Sequence, residues 1–236
     1  MHIKGLLFDK DGTLFDFRAT WDVWAGRLLR DLSQGDLPLE QALAEAISYD
    51  HAAQKFLADS PVIAGTNREA AELLVQKLPD HDVDALDLFL AQSAATAPLA
   101  PAVPLAPFLT ALRAQGLSLG VMTNDTEHGA LAHLKTAGVV ELFDFIAGAD
   151  SGFGAKPDPD PLLAFASKQG LSPETVAMVG DSTHDLLAGR RAGMRTIGVL
   201  TGIAKRADLT DLADVVLPDI GHIPAWLDQK QALVPN

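Results

Sequence analysis

Gly5-Leu6-Leu7-Phe8-Asp9-Lys10-Asp11-Gly12-Thr13-Leu14 is an apolar run that ends in two carboxylates and a glycine turn. The apolar part reads as a strand buried on both faces. Open α/β sheets bind ligands at the carboxyl ends of their strands, so chemistry and position agree here. Two residues apart on extended backbone, Asp9 and Asp11 share one side, and Gly12 lets the chain turn away. Such a pair suits a carboxylate nucleophile beside a carboxylic acid/base. It equally suits an Asx-type turn that only ends a strand. Lys10, between them, is expected to point away along the strand and is given no catalytic role.

Working outward, the C-terminal half alternates in a βα rhythm. Helices are expected over 105–115, 127–137, 161–169 and 185–192, with glycines stopping them at 116, 138, 170 and 193. Strands are expected over 117–122, 143–147, 175–179, 196–200 and 215–217. That pattern predicts an α/β fold, a doubly wound parallel sheet. Residues 15 to about 100 break the rhythm, with helical apolar spacing over 18–32, 39–48, 66–77 and 83–94 and no strand. The segment from Ala97 to Pro104 is proline-rich and reads as a return linker. The layout is therefore a core made of 1–14 plus 104–236, carrying an inserted helical cap of 15–103.

The 236 residues suffice for one large domain or a core plus a subdomain, and 48% are hydrophobic, ordinary globular material. A formal net charge of −13 argues against nucleic acid or an anionic membrane as partner, since phosphate backbones need a basic face. An acidic protein still binds an anionic substrate where local positive charge or a divalent cation sits. With no cysteine there is no disulfide framework, thiolate zinc site or cysteine nucleophile. Met1-His2-Ile3-Lys4 runs straight into the first strand with no leader pattern, and no apolar stretch spans a bilayer. A cytoplasmic location is the expectation, with the oligomeric state left open.

Three further strand ends carry polar clusters. Thr123-Asn124 follows Leu119-Gly120-Val121-Met122; Asn124 with Glu127 resembles a helix N-cap with its capping-box partner, compatible with phosphate binding. Lys156 precedes Pro157, which holds the residue before it extended, so a fixed ammonium is available to neutralise a phosphoryl group. A lone loop lysine is otherwise a solvated one. Gly180-Asp181-Ser182-Thr183-His184-Asp185 ends another buried strand; if a helix begins there, Asp181 and Asp185 face one way. His184 is expected to be exposed and not a ligand. Each cluster has a bland reading, but together they converge on one cleft. Asp9, Asp11, Asp181 and Asp185 cannot all stay ionised beside a single lysine, so a divalent metal completes the site, and hard oxygen ligands favour Mg²⁺ over zinc.

These motifs resemble the haloacid dehalogenase superfamily, phosphatase branch. Asp-x-Asp-Gly-Thr-Leu corresponds to residues 9–14, the Thr/Ser-Asn step to Thr123-Asn124, Lys-Pro to Lys156-Pro157, and Gly-Asp-Ser-x-x-Asp to residues 180–185. The helical insertion looks like the family's type 1 cap, and the return segment looks like that of phosphoglycolate phosphatase-like members. The resemblance implies a Rossmann-like core and Mg²⁺-dependent hydrolysis of a small phosphorylated metabolite, with 2-phosphoglycolate one candidate. It implies that Asp9 is the nucleophile and forms an aspartyl-phosphate, and that Asp11 is the acid/base. Thr123, Asn124 and Lys156 hold the phosphoryl group, and Lys156 also steadies Asp9. Asp9, the Asp11 carbonyl and Asp181 bind Mg²⁺, with Asp185 acting behind them. Dehalogenases of the superfamily lack an aspartate at the Asp11 place. A phosphosugar mutase uses the same core and is the enzymatic alternative; a non-catalytic phospholigand-binding protein is the other.

The leaving group is expected to be chosen by the cap. Phe15, Phe17, Arg18, Trp21, Trp24, Tyr49, His51 and Arg68 are its informative residues. Trp21 and Trp24, three apart on one helix face, read first as cap core. Arg18 follows the hinge closely enough to meet a substrate carboxylate, but reads first as a surface arginine.

Overall fold

The computed structural model describes residues 3–232, so the reading of Met1-His2 lies outside the described residues. In chain order the elements of the first half are β1 (Gly5–Phe8), α1 (Val23–Ser33), α2 (Leu37–Ala46), β2 (Tyr49–Asp50), β3 (Lys55–Phe56), α3 (Asn67–Leu74) and α4 (Val83–Ala94). The second half comprises α5 (Leu105–Ala114), β4 (Ser118–Met122), α6 (Glu127–Thr136), β5 (Phe145–Ala147), α7 (Asp160–Lys168), β6 (Val176–Gly180), α8 (Thr183–Arg191), β7 (Arg195–Val199), α9 (Arg206–Leu209), β8 (Val215–Leu217) and α10 (Ile223–Ala232).

Six strands form one parallel sheet in the order β5-β4-β1-β6-β7-β8. The order reverses at β1, which is where an α/β sheet opens its crevice. Strand alternation explains the double burial. Leu6 and Phe8 join Leu119, Val121, Val179 and Ile197 in a core completed by α5 and α10. Leu7 points the other way, to Met122, Met178 and the Leu162 and Phe165 side chains of α7. Burying each such side chain contributes about 1.5–3 kcal/mol. Register then levels the strand ends. Phe8 sits opposite both Val121 and Val179, so Asp9, Thr123 and Asp181 emerge within one or two rungs of each other.

Residues 17–97 pack around a separate apolar cluster that includes Phe17, Trp21, Leu28, Leu43, Leu74 and Leu90. Here the structure departs from the expected helices in two ways. The segment read as one helix over 18–32 divides into a π-helical turn, Arg18–Asp22, followed by α1. The segment read as strandless contains the antiparallel hairpin β2–β3. Two residues per strand are too few to show an alternating pattern. The Asp22 residue supplies what the sequence pattern does not: its carboxylate accepts from the Phe56 N–H at 2.9 Å, and its carbonyl accepts from the Tyr49 hydroxyl at 2.9 Å. The chain enters and leaves this segment side by side. The Asp16 N–H donates to the Ala100 carbonyl at 2.8 Å, and the Ala102 N–H to the Leu14 carbonyl at 2.9 Å. Among the described residues no helix is long and apolar enough to cross a membrane.

Candidate active site

Asp9 leaves β1 with its N–H bonded to the Val179 carbonyl at 2.8 Å, so its backbone is held by the sheet. Its Oδ1 accepts from Lys156 Nζ at 2.6 Å, and the same ammonium donates to Asp185 Oδ1 at 2.6 Å. Asp185 has a second task. Its Oδ2 accepts from the Ser182 N–H and hydroxyl, closing the capping box of α8. Asp181 precedes that helix and does not lie on it, contrary to the single-face expectation. It still arrives at the same point: carboxylate oxygens of Asp9, Asp181 and Asp185 lie within 4.8 Å of one another. All three residues and Lys156 are buried.

The electrostatics follow from that crowding. Burial, with Asp185 and Asp11 adding to it and Lys156 opposing, pushes the Asp9 carboxyl up to about 7. Burial also raises Asp181 well above the usual carboxylate range, helped by Asp185 and Asp9. Burial alone would lower Lys156, but Asp185 and Asp9 outweigh it and the ammonium is held above its ordinary value. One cation therefore faces three buried carboxylates. A hard divalent cation fits this all-oxygen donor set.

Two glycines let the loops approach. Gly12 has φ +83°, and a Cβ there would strike the Asp181 carboxylate; so would one at Gly202, in the loop after β7. The Thr201 hydroxyl from that loop donates to the Gly12 carbonyl at 2.6 Å. Sequence reading passed over Thr201 and Gly202, because neither belongs to a charged cluster.

Asn124 does not cap a helix with Glu127. Helix α6 starts later, and Thr126 caps it by accepting from the Gly129 N–H at 3.0 Å. Asn124 grips Lys156 instead. Its Nδ2 donates to the Lys156 carbonyl at 2.8 Å, and its Oδ1 accepts from the Lys156 N–H at 2.9 Å. The Lys156–Pro157 peptide is cis. The Asn124 amide also donates to the Ala64 carbonyl at 2.8 Å, tying the loop before α3 to the sheet. The Thr123 hydroxyl accepts from the Asp125 N–H at 3.1 Å.

Lys10 departs most from expectation. It is fully buried, and its Nζ turns back to Asp11 at 2.7 Å rather than away. It also meets Asp125 Oδ2 at 3.1 Å and His133 Nδ1 at 3.0 Å, and lies 5.3 Å from the Trp21 ring centre. Burial would lower its pKa, but Asp11 and Asp125 raise it above the ordinary value. The ammonium can only donate, so Nδ1 of His133 accepts and Nε2–H donates to the Ala94 carbonyl at 2.8 Å. Burial and Lys10 together lower the His133 pKa, in keeping with a neutral ring. Strand alternation predicts the direction in which Lys10 leaves the backbone; a four-carbon stem lets the charge return to the acids.

One cleft collects Asp9, Asp11, Thr123, Asn124, Lys156, Asp181 and Asp185. His184, read as exposed, is partly buried and lines it too. So do Phe17, Trp21 and Trp24, the two tryptophans meeting edge to face at 5.1 Å. The other named cap residues do not line it. Phe15 belongs to the sheet core, Tyr49 to the apolar core of the insertion, and His51 pairs with Glu40 at 2.7 Å. Arg18 pairs with Asp22, and Arg68 with Glu72 and Asp84.

At its switch point the parallel sheet thus gathers three buried carboxylates around one buried lysine. The comparisons place the chain in a family. Residues 3–193 match the haloacid dehalogenase-like hydrolases, and the chain belongs to them. It is 33% identical over 209 residues to a probable phosphatase, IndB, of Dickeya dadantii, covering 84% of this chain and 81% of that one. It is 31% identical over 219 residues to a phosphoglycolate phosphatase of Salmonella paratyphi A, covering 85% and 82%. Among solved structures, CbbY from Rhodobacter sphaeroides in complex with phosphate has the same fold, with TM-score 0.71, 20% identity and coverage of 96% and 99%.

Proposed function

We propose that this protein is a Mg²⁺-dependent phosphomonoesterase working through an aspartyl-phosphate on Asp9. The observation that carries the reading is the Lys156 ammonium shared between Asp9 and Asp185 at 2.6 Å, beside Asp181. An Asp9 carboxylate oxygen attacks phosphorus. As the bond from phosphorus to the leaving oxygen breaks, Asp11 gives that oxygen a proton and the alcohol departs. Water then attacks the phosphoryl group, Asp11 takes its proton, and inorganic phosphate leaves Asp9 free. Lys156 neutralises phosphoryl charge, and Asn124 fixes Lys156. Asp9, Asp181 and the Asp11 carbonyl would hold Mg²⁺, which supplies the remaining positive charge that phosphoryl transfer needs. Residues 15–103 serve as the cap over this cleft, with 1–14 and 104–236 as the core. The names of the relatives put 2-phosphoglycolate among the first compounds to test.

The test is phosphate release from a panel of phosphomonoesters. Asp9→Asn is expected to abolish turnover, and excess EDTA to remove it until Mg²⁺ is restored. Wild-type rates in Asp9→Asn, or undiminished rates in EDTA, would refute the nucleophile or the metal respectively.

A further inference from the structure

The cap side of the cleft differs in character from the phosphoryl side. It is built from Trp21, Trp24, Leu28, Phe56, Val62 and Ile63, with Gly65, Thr66 and Asn67 as the polar edge. The segment 15–103 contains six cationic side chains: Arg18, Arg27, Arg30, Lys55, Arg68 and Lys77. Every one is exposed, and none lines the cleft. Lys156 is already shared between two carboxylates, and the other basic side chain in the lining, His184, belongs to α8 of the sheet layer. The N-terminus of α3 is the remaining place where a second anion would bind. It is occupied from within: Glu69 accepts from the Thr66 N–H at 2.7 Å, and the Thr66 hydroxyl accepts from the Glu69 N–H. The Asn67 amide is directed to Asp125 at 3.4 Å.

From this we infer that the leaving group is uncharged and apolar, a branched-alkyl or aromatic alcohol, and not a carboxylate-bearing one such as glycolate. The inference rests on the phosphomonoesterase reading of the same site. A free carboxylate placed against this wall would lose its water and find no cation, while five aspartates line the rest of the cleft. An apolar group of the same size is stabilised by each square ångström it removes from water, and an aromatic one gains edge contacts with Trp21 and Trp24.

Binding separates this inference from the catalytic one. The probes are three non-hydrolysable phosphonates titrated calorimetrically into the wild-type protein with Mg²⁺: phosphonoacetate, isobutylphosphonate of matching shape, and 2-phenylethylphosphonate. Isobutylphosphonate is expected to bind at least about tenfold more tightly than phosphonoacetate, and 2-phenylethylphosphonate more tightly still. Trp24→Ala should weaken the phenylethyl probe about fivefold or more and leave phosphonoacetate within about twofold. Phosphonoacetate binding as well as or better than isobutylphosphonate overturns the inference, and so does failure of all three to bind at millimolar concentration. The wild-type ranking needs no variant to fold. If the ranking holds while no phosphomonoester is hydrolysed, the catalytic reading falls and the ligand preference stands. If phosphate is released but the ranking reverses, the preference falls alone.

Discussion

The strand ends of the sheet and the wall opposite them solve opposite problems within one cleft. On the sheet side, polar atoms are crowded and almost every one has a named partner: Lys156 with Asp9 and Asp185, Asn124 with Lys156, Lys10 with Asp11 and Asp125. On the opposite side the wall is aromatic and aliphatic, and its segment's cations face solvent. A site that must stabilise one charge and choose among alcohols separates the two tasks in space. On the function proposed above, rate belongs to the first surface and selectivity to the second.

That division can be broken by mutation, most severely at Asp11. Asp11→Asn is expected to cost about 10²–10⁴ in kcat, the usual range for a lost acid/base. The loss should be smaller for p-nitrophenyl phosphate than for an alkyl phosphate, because a good leaving group needs no proton; equal losses would remove the acid role. Lys156→Met comes next. It leaves Asp9 and Asp185 buried without their cation, and metal-free protein should lose about 3–5 kcal/mol in urea unfolding. A loss under about 1 kcal/mol would mean the carboxylates are better hydrated than their burial implies.

His133 gives a smaller effect with a definite sign. Its folded pKa lies below the ordinary 6.5, so its contribution is complete above that value and is lost as pH falls through and below it. Between pH 7.5 and 5.5 the wild type should therefore lose stability relative to His133→Gln in urea unfolding. Parallel pH curves for the two proteins would contradict a buried neutral ring. The smallest effect belongs to the exposed face of the insertion. Arg68→Ala should leave the Tm and kcat unchanged, since its carboxylate partners are exposed too. A loss of activity there would place Arg68 at the substrate and undo the contrast.

Legibility in the sequence divides along the same line. The sheet announced itself because a strand buried on both faces, such as Leu6-Leu7-Phe8, is a local pattern, and each strand end carries its own polar cluster. The gathering of Asp9, Thr123, Asn124 and Asp181 follows from parallel register, and Lys156 and Asp185 are brought in by Asn124 and by the first turn of α8. What stayed hidden depends on reach or on distant partners. Lys10 returns to Asp11 through a flexible stem, and Asn124 chooses Lys156 over its own helix. The β2–β3 hairpin exists because Asp22 bonds to it across 34 residues, a contact without sequence periodicity. Trp21 and Trp24 do pack in the core of the insertion, as their spacing suggests, but helical spacing does not show that they also face the cleft.

The buried ammonium of Lys10 has a mechanical consequence. Around it stand Trp21, just past the entry into the inserted segment, and His133, bonded to Ala94 near the exit. Both roots of the insertion thus press on one charge, and Asp11 sits against that same charge. If residues 15–103 act as the proposed cap and swing about these roots, the axis passes beside Asp11, where displacement is least. On that reading Leu28, on α1, rides on the moving arm, while Asp11, the proposed acid/base, stays almost still, like the pin of a hinge.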